Sequence, residues 1–201
     1  MSEPALKKHC TVAEYLAFEE TSMDKHEYDD GEILAMSGGS YRHSRIISNL
    51  VAQLHRRLSG KPCEVLESNM RVKLAPTRQY VYPDAQIVCN GPQFDADDRK
   101  QTTIENPRVV FEVLSESTER YDHGRKFLAY ARVASIEAVV LISQDMPQIE
   151  LRERTTDGQW VLSVLVGMGA TLQLRSMDIS IPFGEIYERL NFDETALNIN
   201  D

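Results

Sequence analysis

An acid inside an apolar run, a second acid directly after a proline, and a lysine on the segment that follows are the residues whose types and spacing could do chemistry. Glu112 interrupts Val109-Val110-Phe111-Glu112-Val113-Leu114, and Asp84 opens Tyr82-Pro83-Asp84-Ala85-Gln86-Ile87-Val88-Cys89. An ionised carboxylate in apolar surroundings is costly unless it is paired or bound to a metal. Two carboxylates converging at sheet ends, with a main-chain carbonyl such as that of Val113, would form one side of the oxygen shell that a hard divalent cation takes: Mg2+ or Mn2+. Lys126 near such a site would orient a water, lower its pKa or stabilise charge on an attacked phosphate. Two plainer readings stand beside this one: a Glu112 paired with a basic side chain for structural reasons, and a solvated helical Lys126.

The elements that must position these groups are legible from periodicity. Val109–Leu114 has the length and β-branched content of a buried central strand. If the Asp84 strand is its antiparallel neighbour, pairing Asp84 with Glu112 or Leu114 sets both carboxylates on one face, because strand side chains alternate. Residues 121–133 read as a helix carrying Lys126. Upstream, Thr11-Val12-Ala13-Glu14 has the form of a capping box opening a short helix. Lys25 to Leu34 reads as a hairpin turning at Asp30-Gly31. Ile46, Ile47, Leu50, Val51, Leu54 and Leu58 keep a 3.6 period over a helix from about Tyr41 to Leu58. Further strands are expected at 63–67, 70–74, 137–143, 148–154, 160–166 and 171–174, with a turn at Asp157-Gly158. Gly91 to Pro107 is the longest stretch without periodicity, and a last short helix is expected from Pro182 to Leu190, before a frayed tail.

Composition bounds the class. The 42% apolar and 26% charged content suits a globular chain. No run approaches the ~20 apolar residues that span a bilayer, and the first ten residues lack the features of a signal peptide. Three cysteines, Cys10, Cys63 and Cys89, are widely spaced, so reduced thiols and a cytoplasmic location are expected. The net charge of −9 argues against non-specific coating of nucleic acid. Yet Ser40 to Tyr80 holds Arg42, Arg45, Arg56, Arg57, Lys61, Arg71, Lys73 and Arg78 against only Glu64 and Glu67. That segment is either a face guiding a polyanion, with Arg42, Arg45, Arg71 and Lys73 as contacts, or a set of solvated helix and strand positions. His43 stands at the expected start of the long helix, where a phosphate would meet main-chain amides or the ring would simply pack.

In combination the motifs resemble a known family. Pro83-Asp84, followed 28 residues later by Glu112-Val113-Leu114, is similar to the PD-(D/E)XK nuclease superfamily. The likeness is closer to the Uma-two family of restriction-endonuclease-like proteins, and it is carried by residues 26–33, 36–40, 43–46, 82–84, 107–115 and 117–130. The resemblance implies a metal-dependent nuclease acting on DNA, with Asp84 and Glu112 as Mg2+ ligands and Glu27 completing the acidic cluster. The signature's last position is Leu114, not lysine, and Lys126 matches the place to which the lysine has moved in this family. The expected fold is α/β (α+β): one restriction-endonuclease-like domain over 1–201 with a central mixed sheet flanked by helices. Its core would run from about 11 to 145, with extra antiparallel strands at both ends.

Other chemistries find little support. Gly38-Gly39-Ser40 lacks the P-loop pattern, the histidines lack zinc spacing, and Ser115 and Ser117 form no nucleophile elbow. Two rivals to a nuclease remain: a DNA-binding or interaction module on an inactive nuclease scaffold, and a carboxylate-pair hydrolase with a closed pocket. A homodimer is expected, since cutting two strands usually takes two sites and the C-terminal strands offer a sheet edge.

Overall fold

The computed structural model describes residues 5–7 (main chain only), 9–36, 38–116 and 119–192. Ser37 and Ser117, within stretches that carry the resemblance, and the tail from 193 onward lie outside the described residues.

Among the described residues, two six-stranded sheets, a two-stranded sheet and five α-helical segments make up the fold. In chain order they run β1 (Ala5–Lys7), α1 (Val12–Thr21), β2 (His26–Asp29), β3 (Glu32–Ala35), α2 (Tyr41–Leu58), β4 (Cys63–Glu67), β5 (Arg71–Leu74), β6 (Gln79–Val81) and β7 (Ala85–Cys89). Then come β8 (Thr103–Ile104), β9 (Pro107–Leu114), α3 (Glu119–Tyr121), a π-helical turn (Asp122–Lys126), α4 (Phe127–Tyr130) and β10 (Ala138–Ser143). Last are β11 (Gln148–Arg154), β12 (Trp160–Val166), β13 (Thr171–Leu174), β14 (Ile179–Pro182) and α5 (Phe183–Ile186).

The larger part of the core lies on the sheet ordered β12-β11-β10-β9-β7-β4. Only β9 and β10 run parallel within it; the other pairs are antiparallel. This is the mixed sheet expected. One face takes Ile46, Leu50, Leu54 and Leu58 of α2, together with β13, β14 and α5. On the other face Val110, Leu114, Val139 and Leu141 pack against Ala129 and Tyr130 of α4. The same cluster includes Val72, Leu74 and Val81 of the second sheet, ordered β1-β3-β2-β6-β5-β8, so one apolar layer joins the two sheets. β9 is apolar on both faces because both are covered.

Several local readings hold in detail. Thr11 and Glu14 form the reciprocal capping box of α1. Asp30 and Gly31 take φ of 43° and 109°, the positive pair that a tight hairpin between β2 and β3 requires. The α2 helix starts at Tyr41, capped by the Ser40 hydroxyl, and ends at Leu58.

Three expectations are corrected. Residues 121–133 are not one regular helix: a single π turn separates two short α segments, and α4 stops at Tyr130. Pro182 does not start a helix; its main chain closes β14, and the helix after it spans four residues. Cys63 and Cys89 are not free thiols. They face each other directly in the β4–β7 register, 3.9 Å apart at Cα, and form a disulfide, while Cys10 is buried and its thiol donates to the Thr11 carbonyl. With that bond in place, the cysteines give no ground for expecting a cytoplasmic location. No described helix is long and apolar enough to cross a membrane.

Candidate active site

The β7–β9 register decides where the acids stand. Ala85 pairs with Phe111 and Gln86 with Val110, so one step on, Asp84 falls beside Glu112. Asp84 itself lies just outside β7, where Pro83 denies the ladder an N–H. Its carboxylate swings onto the end of β9: Oδ2 accepts the Val113 N–H at 2.7 Å and meets His43 Nε2, from the first turn of α2, at 3.2 Å. Burial opposes charge on His43, but its bond to Asp84 and the charges of Asp84 and Asp122 outweigh it and raise the ring's pKa. A hydrogen bond to the Val113 main chain adds to the rise.

Glu112 points to the opposite set of partners. Its Oε1 accepts the Tyr130 hydroxyl at 2.5 Å and lies 2.8 Å from Lys126 Nζ. Lys126 also pairs with Glu27 Oε1 at 3.0 Å and reaches Asp122 at 3.8 Å. Glu27, from β2, accepts the Tyr82 N–H at 3.1 Å with the same oxygen, which ties the second sheet to the strand leading to Asp84. All of Glu27, Glu112, Asp122 and Lys126 are at most 6% exposed. Asp122, Lys126 and Tyr130 stand four residues apart along the widened helix. A π turn takes more residues per turn than an α turn, and such turns recur at functional sites. Sequence reasoning missed Asp122 and Tyr130, although their four-residue spacing about Lys126 was a signal.

The electrostatics follow from burying several acids around few bases. Burial pushes the Glu112 carboxyl well above the ordinary range; Lys126 opposes the rise, while Asp122, Asp84 and Glu27 add to it. Burial alone would strip Lys126 of its proton, but Glu112 and Glu27, aided by Tyr130 and Asp122, hold it protonated. Lys126 is therefore an ammonium, a donor and a point of positive charge rather than a base. The Tyr121 hydroxyl is buried near Glu27, Lys126 and Asp122 with no hydrogen-bond partner among the described residues, and burial raises its pKa.

The cluster suits a hard divalent cation in its chemistry. Among the described residues these contacts fall on Oδ2 of Asp84 and Oε1 of Glu112, so Oδ1 and Oε2 are the oxygens that a further ligand would meet. Burial raises Glu112 most and the neighbouring acids add to the rise, and a cation beside it would favour its charged form. Among the described residues no three His, Cys, Asp or Glu side chains gather as a ready ligand set. The donors are two carboxylates, with the Val113 carbonyl and waters to fill the rest, the sparse protein shell usual for magnesium.

The basic segment divides. Arg42 is engaged with the Gln144 and Asn191 carbonyls and lies over the Phe192 ring. Arg45, one turn along α2, has a buried Nε without a partner among the described residues. Arg71 is 3% exposed, bonded to Thr103, Tyr15 and Asp98 and surrounded by the rings of Tyr15, Tyr80 and Tyr82. Lys73 is taken by Asp95, Asp97 and Glu105. The charges of these last two are met by partners within the chain.

The chain is similar to known proteins over most of its length. Two uncharacterized proteins of Synechocystis sp. are 38% and 33% identical to the chain over 180 and 175 residues. The matches cover 89% and 87% of this chain and 92% and 98% of theirs. A crystal structure from Anabaena variabilis, described as a "putative nuclease belonging to DUF820", shares the fold at a TM-score of 0.73 and 15% identity. That likeness covers 89% of this chain and 97% of the other. The sequence model of the Uma2 family, described as "Putative restriction endonuclease", matches residues 12–183, and the chain belongs to that family.

Proposed function

We propose that the chain is a metal-dependent nuclease hydrolysing DNA phosphodiester bonds at the Asp84–Glu112–Lys126 cluster. The observation that carries this reading is the convergence, at one end of β9, of acids from three segments upon one protonated, buried lysine. Asp84, Glu112 and the Val113 carbonyl would hold Mg2+ or Mn2+. When bound, that ion supplies Lewis acidity toward a phosphate oxygen and lowers the pKa of a water. Lys126 places positive charge where the attacked phosphate gains negative charge. Glu27 fixes Lys126 and the Tyr82 main chain, and so sets the ammonium's direction. Tyr130 orients Glu112 by donating to Oε1. His43 and Arg45, at the start of α2, are the proposed phosphate contacts, with Arg42 steadying that end of the helix; Arg71 and Lys73 are left out because their partners are internal.

The test is cleavage of supercoiled and single-stranded DNA with Mg2+ or Mn2+. Asp84→Ala and Glu112→Ala should each lower the rate by about 10²-fold or more. Equal cleavage by wild type and both variants would end the proposal.

One observation favours a second reading, a DNA-binding module without catalysis. Oxygens of both acids are already engaged, by His43 and by Lys126 with Tyr130. Binding that weakens with salt, with no metal-dependent cleavage at any DNA form, would select it.

A further inference from the structure

The two edges of the large sheet are built differently. At one edge β4 is short, carries Glu64 and Glu67, and is bonded to β7 through Cys63. Charge and short length are the usual defences of an exposed edge. At the other edge β12 has neither. It is seven residues long, and from Gly158 to Leu174 there is no charged side chain. Val161, Leu162, Val164 and Val166 are 51–54% exposed, and Met168 follows at 46%. Trp160 and Leu165 pack inward on opposite faces of the strand, so apolar side chains project on both.

We infer that β12 pairs antiparallel with β12 of a second copy of this chain, so that the large sheet continues across a two-fold axis at Ser163. Edge pairing of this kind needs the axis perpendicular to the sheet, which keeps each face on its own side. Residues opposite each other then share a face. With Ser163 on the axis, Leu162 meets Val164 of the second copy, Val161 meets Leu165, and Trp160 meets Val166. Every residue of β12 is paired, and each pair around the small central serine is apolar. No other centre on the strand matches all seven positions.

The charge pattern suits the same occupant. Two copies of a chain of net charge −9 repel, and the uncharged β12 stretch is where they meet without like charges opposed. Pairing along about 24 Å of strand satisfies the main-chain groups that an edge strand leaves open and brings the exposed apolar side chains of the two copies beside one another. One such edge per chain closes the assembly at two copies.

Sedimentation equilibrium of the full chain at micromolar concentration should give twice 22.9 kDa. Leu162→Lys should weaken the dimer by about 10²-fold or more with an unchanged far-UV spectrum. Cysteine variants test the register. Opposite residues lie within disulfide reach, so Ser163→Cys should cross-link to itself on mild oxidation. Val161→Cys sits about 13 Å from its own copy in this register and should not. A monomeric wild type, a Leu162→Lys variant that stays dimeric, or equal cross-linking of the two cysteine variants would overturn the inference.

Discussion

Two lysines each collect three carboxylates, and their surroundings differ. Lys126 meets Glu112, Glu27 and Asp122 at 2.8, 3.0 and 3.8 Å; Lys73 meets Asp95, Glu105 and Asp97 at 2.7, 3.1 and 3.6 Å. Around Lys126 every partner side chain is at most 8% exposed. Around Lys73 only Asp95 is buried; Glu105 and Asp97 are 39% and 70% exposed and keep their hydration. The consequence shows in the acids. Burial opposes the Asp95 carboxylate, but Lys73, the Asp97 N–H and Tyr80 outweigh it and lower its pKa, whereas Glu112 is driven up. The Lys73 cluster is satisfied by its contacts and by water, whereas the Lys126 cluster is closed off from water and burial disfavours charge on Glu112. Ion pairs that fix a loop can be satisfied in this way. A buried set whose acids are strongly perturbed by burial and by a specific charged partner is the kind found at functional sites.

Removing each lysine tests that contrast most directly. Lys126→Ala strands buried acids and should cost about 3–5 kcal/mol of unfolding free energy in urea titration. Adding Glu112→Gln to Lys126→Ala should return part of that loss, because the uncompensated charge goes with the carboxylate. Lys73→Ala, with two partners open to water, should cost about 1 kcal/mol in the same titration. Equal losses from the two single substitutions would erase the distinction between the two clusters.

A further and smaller effect concerns acid. Asp98 is also lowered: burial opposes its charge, but the Thr102 and Thr103 hydroxyls, the Lys100 N–H and Arg71 outweigh it. A carboxylate depressed in the folded state contributes stability above its unfolded pKa, near 3.8, and loses it as pH falls through the folded value. Wild type should therefore lose stability below about pH 4, and Asp98→Asn should flatten that limb of a thermal-melting profile. The smallest change is expected at Arg78–Asp30, an exposed pair on a hairpin, where Arg78→Ala should shift the urea midpoint by about 0.5 kcal/mol or less.

How much of this was legible depends on the range of the signal. The α2 bounds follow from a 3.6 period with a Ser40 cap, and Glu27, Asp84, Glu112 and Lys126 stand out as charges in apolar or turn-rich settings. The Asp84–Glu112 juxtaposition followed from strand alternation once β7 and β9 were taken as neighbours. The π turn was hidden because Asp122, Lys126 and Tyr130 at four-residue spacing fit a plain α-helix equally well. The disulfide depends on the β4–β7 register, which no local pattern around Cys63 or Cys89 states. Arg71 and Lys73 read as surface charges because their partners, Asp95 and Asp98, lie in the 91–107 stretch, which looked unstructured. In the fold that stretch turns back to place β8 beside β5.

The bond between Cys63 and Cys89 turns the 26-residue interval into a covalent loop, and Asp84 rides inside it, five positions from the clasp. Closing a loop of that size removes about 3–4 kcal/mol of freedom from the unfolded chain in the entropy model. The acid beside β9 is therefore tethered to its strand through the backbone as well as through hydrogen bonds. Were α2 and His43 to draw back to admit a polyanion, the loop would keep Asp84 near Val113.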